Sequence, residues 1–292
     1  GKGVNGAIYW TDQTSWSNEN TLNYKKRLGR SHNLDLMAGL SLQGQKNTYD
    51  GVASTQITSE ELGIAGIHTG NYQKVQSNYY DWRMMSAFLR ANYNFRYKYY
   101  LTFSFRADGS SKFPSDNRWG YFPSVSAGWR FTEERFMEGV RHWWDNGKIR
   151  LSYGALGNSN VDPYTYLETF GLSTFGTGSG DAARYLFGQA KLRYTSLPGQ
   201  IPDNIGWETS KTFDVGLDAG FLNGRLNLTA DYYIRKTVDM YTVGPTLPDT
   251  FGATAPKGNY ADMSTYGYEI ALSYNDSFKL AGKRGRAKLT LW

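Results

Sequence analysis

Asp214 and Asp218 stand four residues apart in a stretch of alternating polarity, so both carboxylates fall on one face of a strand. A carboxylate pair is the raw material of general acid/base catalysis, as in glycoside hydrolysis. That chemistry also needs a cleft and surroundings that drive the two pKa values apart, and the neighbouring residues signal neither. The same polar phase carries Arg90, Arg96, Arg106, Arg130, Asp231, Arg235 and Glu269. Charges of both signs, repeated from strand to strand, suit a wall along which polar solutes pass. They equally suit a wall that is polar because water or a plug lies against it. No residue takes a catalytic role, no enzyme activity is expected, and no cofactor is implied.

Arg106-Ala107-Asp108 followed by Gly109-Ser110-Ser111 could hold a ligand, but its simplest reading is a strand end whose charges pair. Glycine there serves a turn; no helix follows to aim N–H groups at a phosphate. Gly176, Gly178 and Gly180 punctuate a loop in the same way. Two sets of loop aromatics, Tyr72, Tyr79, Tyr80 and Trp82, and Tyr164, Tyr166 and Phe170, could stack on sugar rings or grip peptides. They could also pack loops together or against a partner, so substrate-binding residues stay unassigned. The three histidines, His32, His68 and His142, are too scattered for a metal centre. With no cysteine, disulfide frameworks, zinc ribbons and thiol catalysis are excluded. The net charge of +6 over 292 residues is spread along strands and turns, which argues against a nucleic-acid partner.

The elements that must position these residues are short strands. Ten segments alternate apolar and polar residues at period two. In Tyr99–Asp108, Tyr99, Leu101, Phe103, Phe105 and Ala107 share one face, opposite Tyr100, Thr102, Ser104, Arg106 and Asp108. The remaining strands are expected at 16–27, 33–44, 86–95, 118–131, 148–155, 208–219, 226–235, 264–274 and a last one ending at Trp292. Turns near residues 30, 97, 222 and 280 are short or modest; Asn223-Gly224 is a hairpin signal. The alternate connections, Gln45–Met85, Leu156–Trp207 and Lys236–Met263, are long. Gly109–Asn117 is short for that series. Thr132–Gly147 is long for the other, with a helical turn expected at 133–137 and Trp143-Trp144 as an interfacial anchor. Loops sorted by length to opposite ends are the mark of an all-β, antiparallel up-and-down transmembrane β-barrel in an outer membrane. No run approaches the roughly 20 apolar residues a spanning helix needs. Mean hydropathy is −0.57, which a barrel tolerates because only alternate residues meet lipid. Aromatics reach 16%, with 23 Tyr and 9 Trp, as suits rings at both interfaces; Tyr99, Trp129 and Tyr232 are read as such anchors.

Residues 106–113, Arg-Ala-Asp-Gly-Ser-Ser-Lys-Phe, running on to Asn117-Arg118-Trp119-Gly120-Tyr121-Phe122-Pro123-Ser124-Val125-Ser126-Ala127-Gly128-Trp129-Arg130, resemble the SusC/RagA family of TonB-dependent outer-membrane transporters of Bacteroidota. Further blocks are similar to that family in the same order: 133–137, 149–154 with Gly157-Asn158, 207–218, 231–237 and 267–270. The resemblance covers about residues 86–275 and is looser over 1–85. It implies a roughly 22-stranded barrel holding an N-terminal plug. It also implies a SusD-like surface lipoprotein as lid, oligosaccharide or peptide substrates, and uptake energised through TonB–ExbB–ExbD. No plug domain or TonB-box-like leader is found in residues 1–292, so the chain is expected to be a C-terminal portion of such a barrel, set in outer-membrane lipid. Two rivals remain open at this point: a small self-contained passive barrel, channel or enzyme, whose chain ends meet, and a soluble β-sandwich binding module.

Overall fold

Strands with one apolar and one polar face, paired side by side, make a sheet with two unlike surfaces. The computed structural model describes residues 4–70, 72–170, 172–174, 193–195, 201, 205–246, 248, 255–279 and 286–291. Numbered along the chain, the strands are β1 (Val4–Leu28), β2 (His32–Ile57), β3 (Tyr72–Phe95), β4 (Tyr99–Ser110), β5 (Trp119–Trp129), β6 (Trp144–Asn158), β7 (Leu172–Thr174), β8 (Arg193–Thr195), β9 (Glu208–Phe221), β10 (Leu226–Val243), β11 (Lys257–Lys279) and β12 (Arg286–Leu291). Ten of them form one sheet in the order β1-β2-β3-β4-β5-β6-β9-β10-β11-β12, while β7 and β8 pair separately. Every neighbouring pair is antiparallel. The main sheet is thus a meander with β1 and β12 at its two edges.

Its surfaces are inverted relative to a soluble protein. Leu101 and Phe103 of β4 are 47% and 42% exposed, and Leu36, Leu40, Ile149, Leu151, Ile234 and Ile270 on other strands of the sheet are exposed as well, as are Leu89 of β3 and Val125 of β5. A continuous apolar surface of this extent does not persist in water; lipid has to cover it. The polar phase lies on the opposite face, which becomes the lumen wall.

The sheet is taller than a bilayer. Register aligns Leu28, His32 and Phe95 at one end and Trp16, Gly44 and Arg83 farther up. Most outward residues between them are apolar, among them Leu22, Tyr24, Leu42, Met85 and Leu89, although β1 also sets Asn18, Asn20 and Lys26 on that face. That stretch matches a crossing of about 9–11 tilted residues plus its interfacial rims. Above Trp16 the strands continue as a projection of about 12 residues, or about 40 Å of strand. It is here that the structure departs from the expected loops. Gln45–Met85 is not a loop but the upper halves of β2 and β3, joined through a 3₁₀ segment, Glu60–Thr69. Ser59 caps that segment by accepting the Glu61 N–H. Likewise β10 runs to Val243 and β11 starts at Lys257, so the expected loop 236–263 is mostly strand. These extensions stand in water on both faces, so their residues have no reason to alternate.

At the opposite end the turns are tight. Arg96 and Tyr97 (φ 53° and 56°), in the three-residue connection 96–98, and Leu222 and Asn223 (φ 58° each), in the four-residue connection 222–225, sit in the left-handed region that tight reversals use. Arg96 and Arg130, expected in the lumen, therefore lie in or beside connections at this end. Residues 131–143 fold into two 3₁₀ turns, Phe131–Glu133 and Arg135–Val140, near the expected helical turn. Trp143 stacks on Phe221 at 6.0 Å, and Phe131 meets Trp144 edge-on at 5.4 Å. The Trp129 indole and the Tyr99 hydroxyl both donate to Glu134, at 3.4 and 2.6 Å. Two of the expected interfacial rings are thereby tied to this foot.

Candidate functional site

The lumen wall is built by strand rungs. Register places Arg150 of β6 beside Gly216 of β9, and Gly216 beside Asp231 of β10. Arg150 Nε donates to Asp218 Oδ2 at 2.9 Å, and its Nη2 lies 2.7 Å from Asp231 Oδ1. One guanidinium therefore spans three strands. Gly216 makes the span possible: a Cβ there would lie 2.2 Å from Asp231 Oδ1 and 2.6 Å from Arg150 Nη2. Asp218 is thus a partner in an ion pair with Arg150. A second knot lies on β4, where Arg106 Nε donates to both Asp108 oxygens at 2.8 and 2.9 Å. Its Nη2 donates to Ser86 Oγ at 3.0 Å, and the guanidinium lies 5.6 Å over the Phe88 ring. Arg235 donates to Thr212 Oγ1 at 3.3 Å.

Above the wall, the extracellular connections fold onto each other as a cap. Phe113, Val161 and Ile205 are 0%, 4% and 1% exposed, with Tyr166, Trp207 and Tyr241 packed around them. Trp207 meets Phe113 at 5.1 Å and Phe122 of β5 at 5.4 Å, so the cap is seated on the barrel wall. Gly157 gives Phe122 its place; a Cβ there would sit 1.9 Å from the ring. Trp207 Nε1 donates to the Arg118 carbonyl at 3.1 Å. Gly206 and the Asn259 amide exchange two hydrogen bonds, at 2.9 and 3.1 Å. Burial pushes the Tyr241 phenol up from its ordinary value, with Asp162 adding to it.

Beside the cap, four of the loop aromatics converge. Tyr79, Tyr80, Trp82 and Tyr164 line a recess of about 590 Å³ together with Gln45, Asn78, Lys112, Asp162 and Pro163. The Tyr164 hydroxyl donates to the Asp81 carboxylate, and this bond raises its pKa. Lys112 lies 5.3 Å over the Trp82 ring and donates to the Ser159 carbonyl at 3.4 Å. Desolvation lowers its pKa, partly countered by Asp162. Tyr166 belongs to the cap core, Phe170 is exposed, and the Tyr72 side chain and Gly176, Gly178 and Gly180 lie outside the described residues. Sequence reasoning missed Arg150, Gln45 and Lys112. Arg150 had a signal, because it falls in the polar phase of its strand; Gln45 and Lys112 had none.

A family model described as TonB dependent receptor-like, beta-barrel matches residues 2–291. TonB-dependent receptor P3 of Formosa agariphila is 32% identical over 279 residues, which is 94% of this chain and 26% of that protein. TonB-dependent receptor SusC of Bacteroides thetaiotaomicron is 37% identical over 192 residues, covering 65% of this chain and 18% of its own length. The solved structure of the RagAB peptide transporter aligns with a TM-score of 0.77 at 25% identity, over 94% of this chain and 29% of that one. The chain spans about a quarter of the length of the first of these curated relatives. The apolar outer face, the charged lumen wall and these matches over nearly every residue lead to one assignment: the chain belongs to the TonB-dependent receptor β-barrel family of the outer membrane, in its SusC/RagA branch.

Proposed function

We propose that this chain is part of the barrel of an outer-membrane importer of oligosaccharides or peptides, of about 22 strands in all. In this reading TonB drives it through a plug carried elsewhere in the protein, and a SusD-like lipoprotein covers its extracellular mouth. The observation that carries the reading is the seated cap. A passive pore needs only a polar wall, whereas here two connections, β4–β5 and β6–β9, are folded into a core of their own and pinned to the wall through Trp207 and Phe122. That arrangement provides a rigid rim on which substrate and lid can be held. The relatives support it: one is named SusC, and another is a peptide transporter. Keeping β1 and β12 at opposite edges of the sheet favours a larger barrel over a self-closed one of ten strands.

The test is uptake by cells carrying the complete protein, intact or lacking residues 159–205. Uptake of an oligosaccharide or peptide that needs TonB and collapses on deletion of the cap is the expected result. Uptake unchanged by the deletion, with the lipoprotein still bound, would overturn the reading.

A further inference from the structure

β3 outruns its neighbour. The β3–β4 ladder ends where Met84 faces Ser110, while β3 continues up to Tyr72. The main-chain groups that point toward the β4 side can be identified from the last ones that are used. Arg83 N–H donates to Ser111 Oγ at 2.9 Å, and its carbonyl accepts the Ser111 N–H at 2.9 Å. Asp81 N–H donates to the Tyr164 hydroxyl at 3.3 Å. Strand geometry alternates, so the next residues facing that side are Tyr79, Ser77 and Val75. On this edge no hydrogen bond meets their N–H and C=O groups from any described residue. Proteins blunt bare edges with proline, charge or a covering loop, because such a row is a template for another strand. Here Tyr164 closes only the lower end, and the recess walled by Tyr80, Trp82 and Pro163 adjoins the edge at Tyr79, which also lines it. Lys112 and Asp162 in that recess offer one charge of each sign.

We propose that residues 75–79 of β3 bind an extended peptide by strand addition, with the peptide's side chains or terminus entering the adjoining recess. Backbone pairing is indifferent to sequence, whereas the aromatic and charged pocket adds selection. A glycan could stack on the same rings but has no row of amides to match the edge, so the site chooses peptide between the two substrate classes. The inference rests on the import reading above, and it adds the substrate class and the place where that substrate is first held.

The experiment uses the complete transporter in detergent and a tryptic digest of casein, with retained peptides identified by mass spectrometry. Ser77→Pro removes the central edge N–H at a position where an edge strand tolerates proline. Ser77→Ala keeps it and removes only the side-chain bond to Asp50. Retention is expected to fall about tenfold in Ser77→Pro and to persist in Ser77→Ala. A retained peptide is then resynthesised with single N-methyl amides at successive positions. Loss of binding at alternate positions only is the signature of a paired strand, and this arm holds even if the proline variant does not fold. Equal retention by both variants, or sensitivity without alternation, overturns strand addition. A wild-type protein that retains no peptide also overturns it, while TonB-dependent uptake of a glycan by the same protein would leave the import reading standing.

Discussion

Arg150 works as a brace: its two carboxylate partners come from β9 and β10, so its removal leaves two acids on one wall without their common cation. Arg150→Met should cost about 2–3 kcal/mol, read as a lower temperature of heat-modifiable unfolding. Neutralising the acids in an Asp218→Asn, Asp231→Asn background should return much of it. Gly216→Ala should act like the arginine variant, because the new methyl occupies the path of the guanidinium. Glu134 gives a pH signature at the other end. The Tyr99 hydroxyl above all, and Trp129 and Lys98 after it, hold its carboxyl below the usual range, against a smaller desolvation effect. A lowered carboxylate pKa stabilises the fold above the unfolded value of about 4.3 and stops doing so as pH falls through the folded value. Glu134→Gln should therefore lower stability near neutrality and flatten its acid dependence, as measured by thermal unfolding between pH 3 and 7.

Among the elements, the cap is the one that can fail alone. Phe113 is fully buried there, and Phe113→Ala should cost about 3–5 kcal/mol of local packing. Because the barrel ladders do not depend on that core, protease should cut within 159–207 rapidly while the barrel stays heat-modifiable. A barrel that unfolds together with the cap would show the two to be one cooperative unit. This division also explains which elements were legible in the sequence. Lipid enforces alternation, so the crossings of β3, β4 and β10 read directly from Leu89, Phe103 or Ile234 and their neighbours. Gln45-Lys46-Asn47-Thr48-Tyr49-Asp50 has water on both sides and no pattern to betray a strand, although β2 runs through all of it. The Phe113–Val161–Ile205 core draws on two separate connections and on positions 44 residues apart within one of them, and no local period links them. Arg150 was within reach of phase reasoning; its reach to β10 depends on Gly216, a residue whose meaning appears only in the register.

For the whole molecule, the unsatisfied edges decide behaviour. β1 and β12 each leave one side of the ladder unpaired within this sheet, and an open apolar sheet in lipid or detergent associates through such edges. On the proposed reading, residues 1–292 expressed alone should therefore give aggregates without a heat-modifiable monomer on gels, and the full barrel should give one. Recovery of a monodisperse barrel from residues 1–292 alone would contradict this. The height of the sheet has a separate consequence, for evolution. Insertion into lipid tests only the rungs between Leu28 and Trp16, so substitutions in the projecting upper halves of β1, β2 and β3 escape that test. The part of the surface that phages and antibodies meet first can diverge quickly, while the part that must fold in the membrane stays as it is.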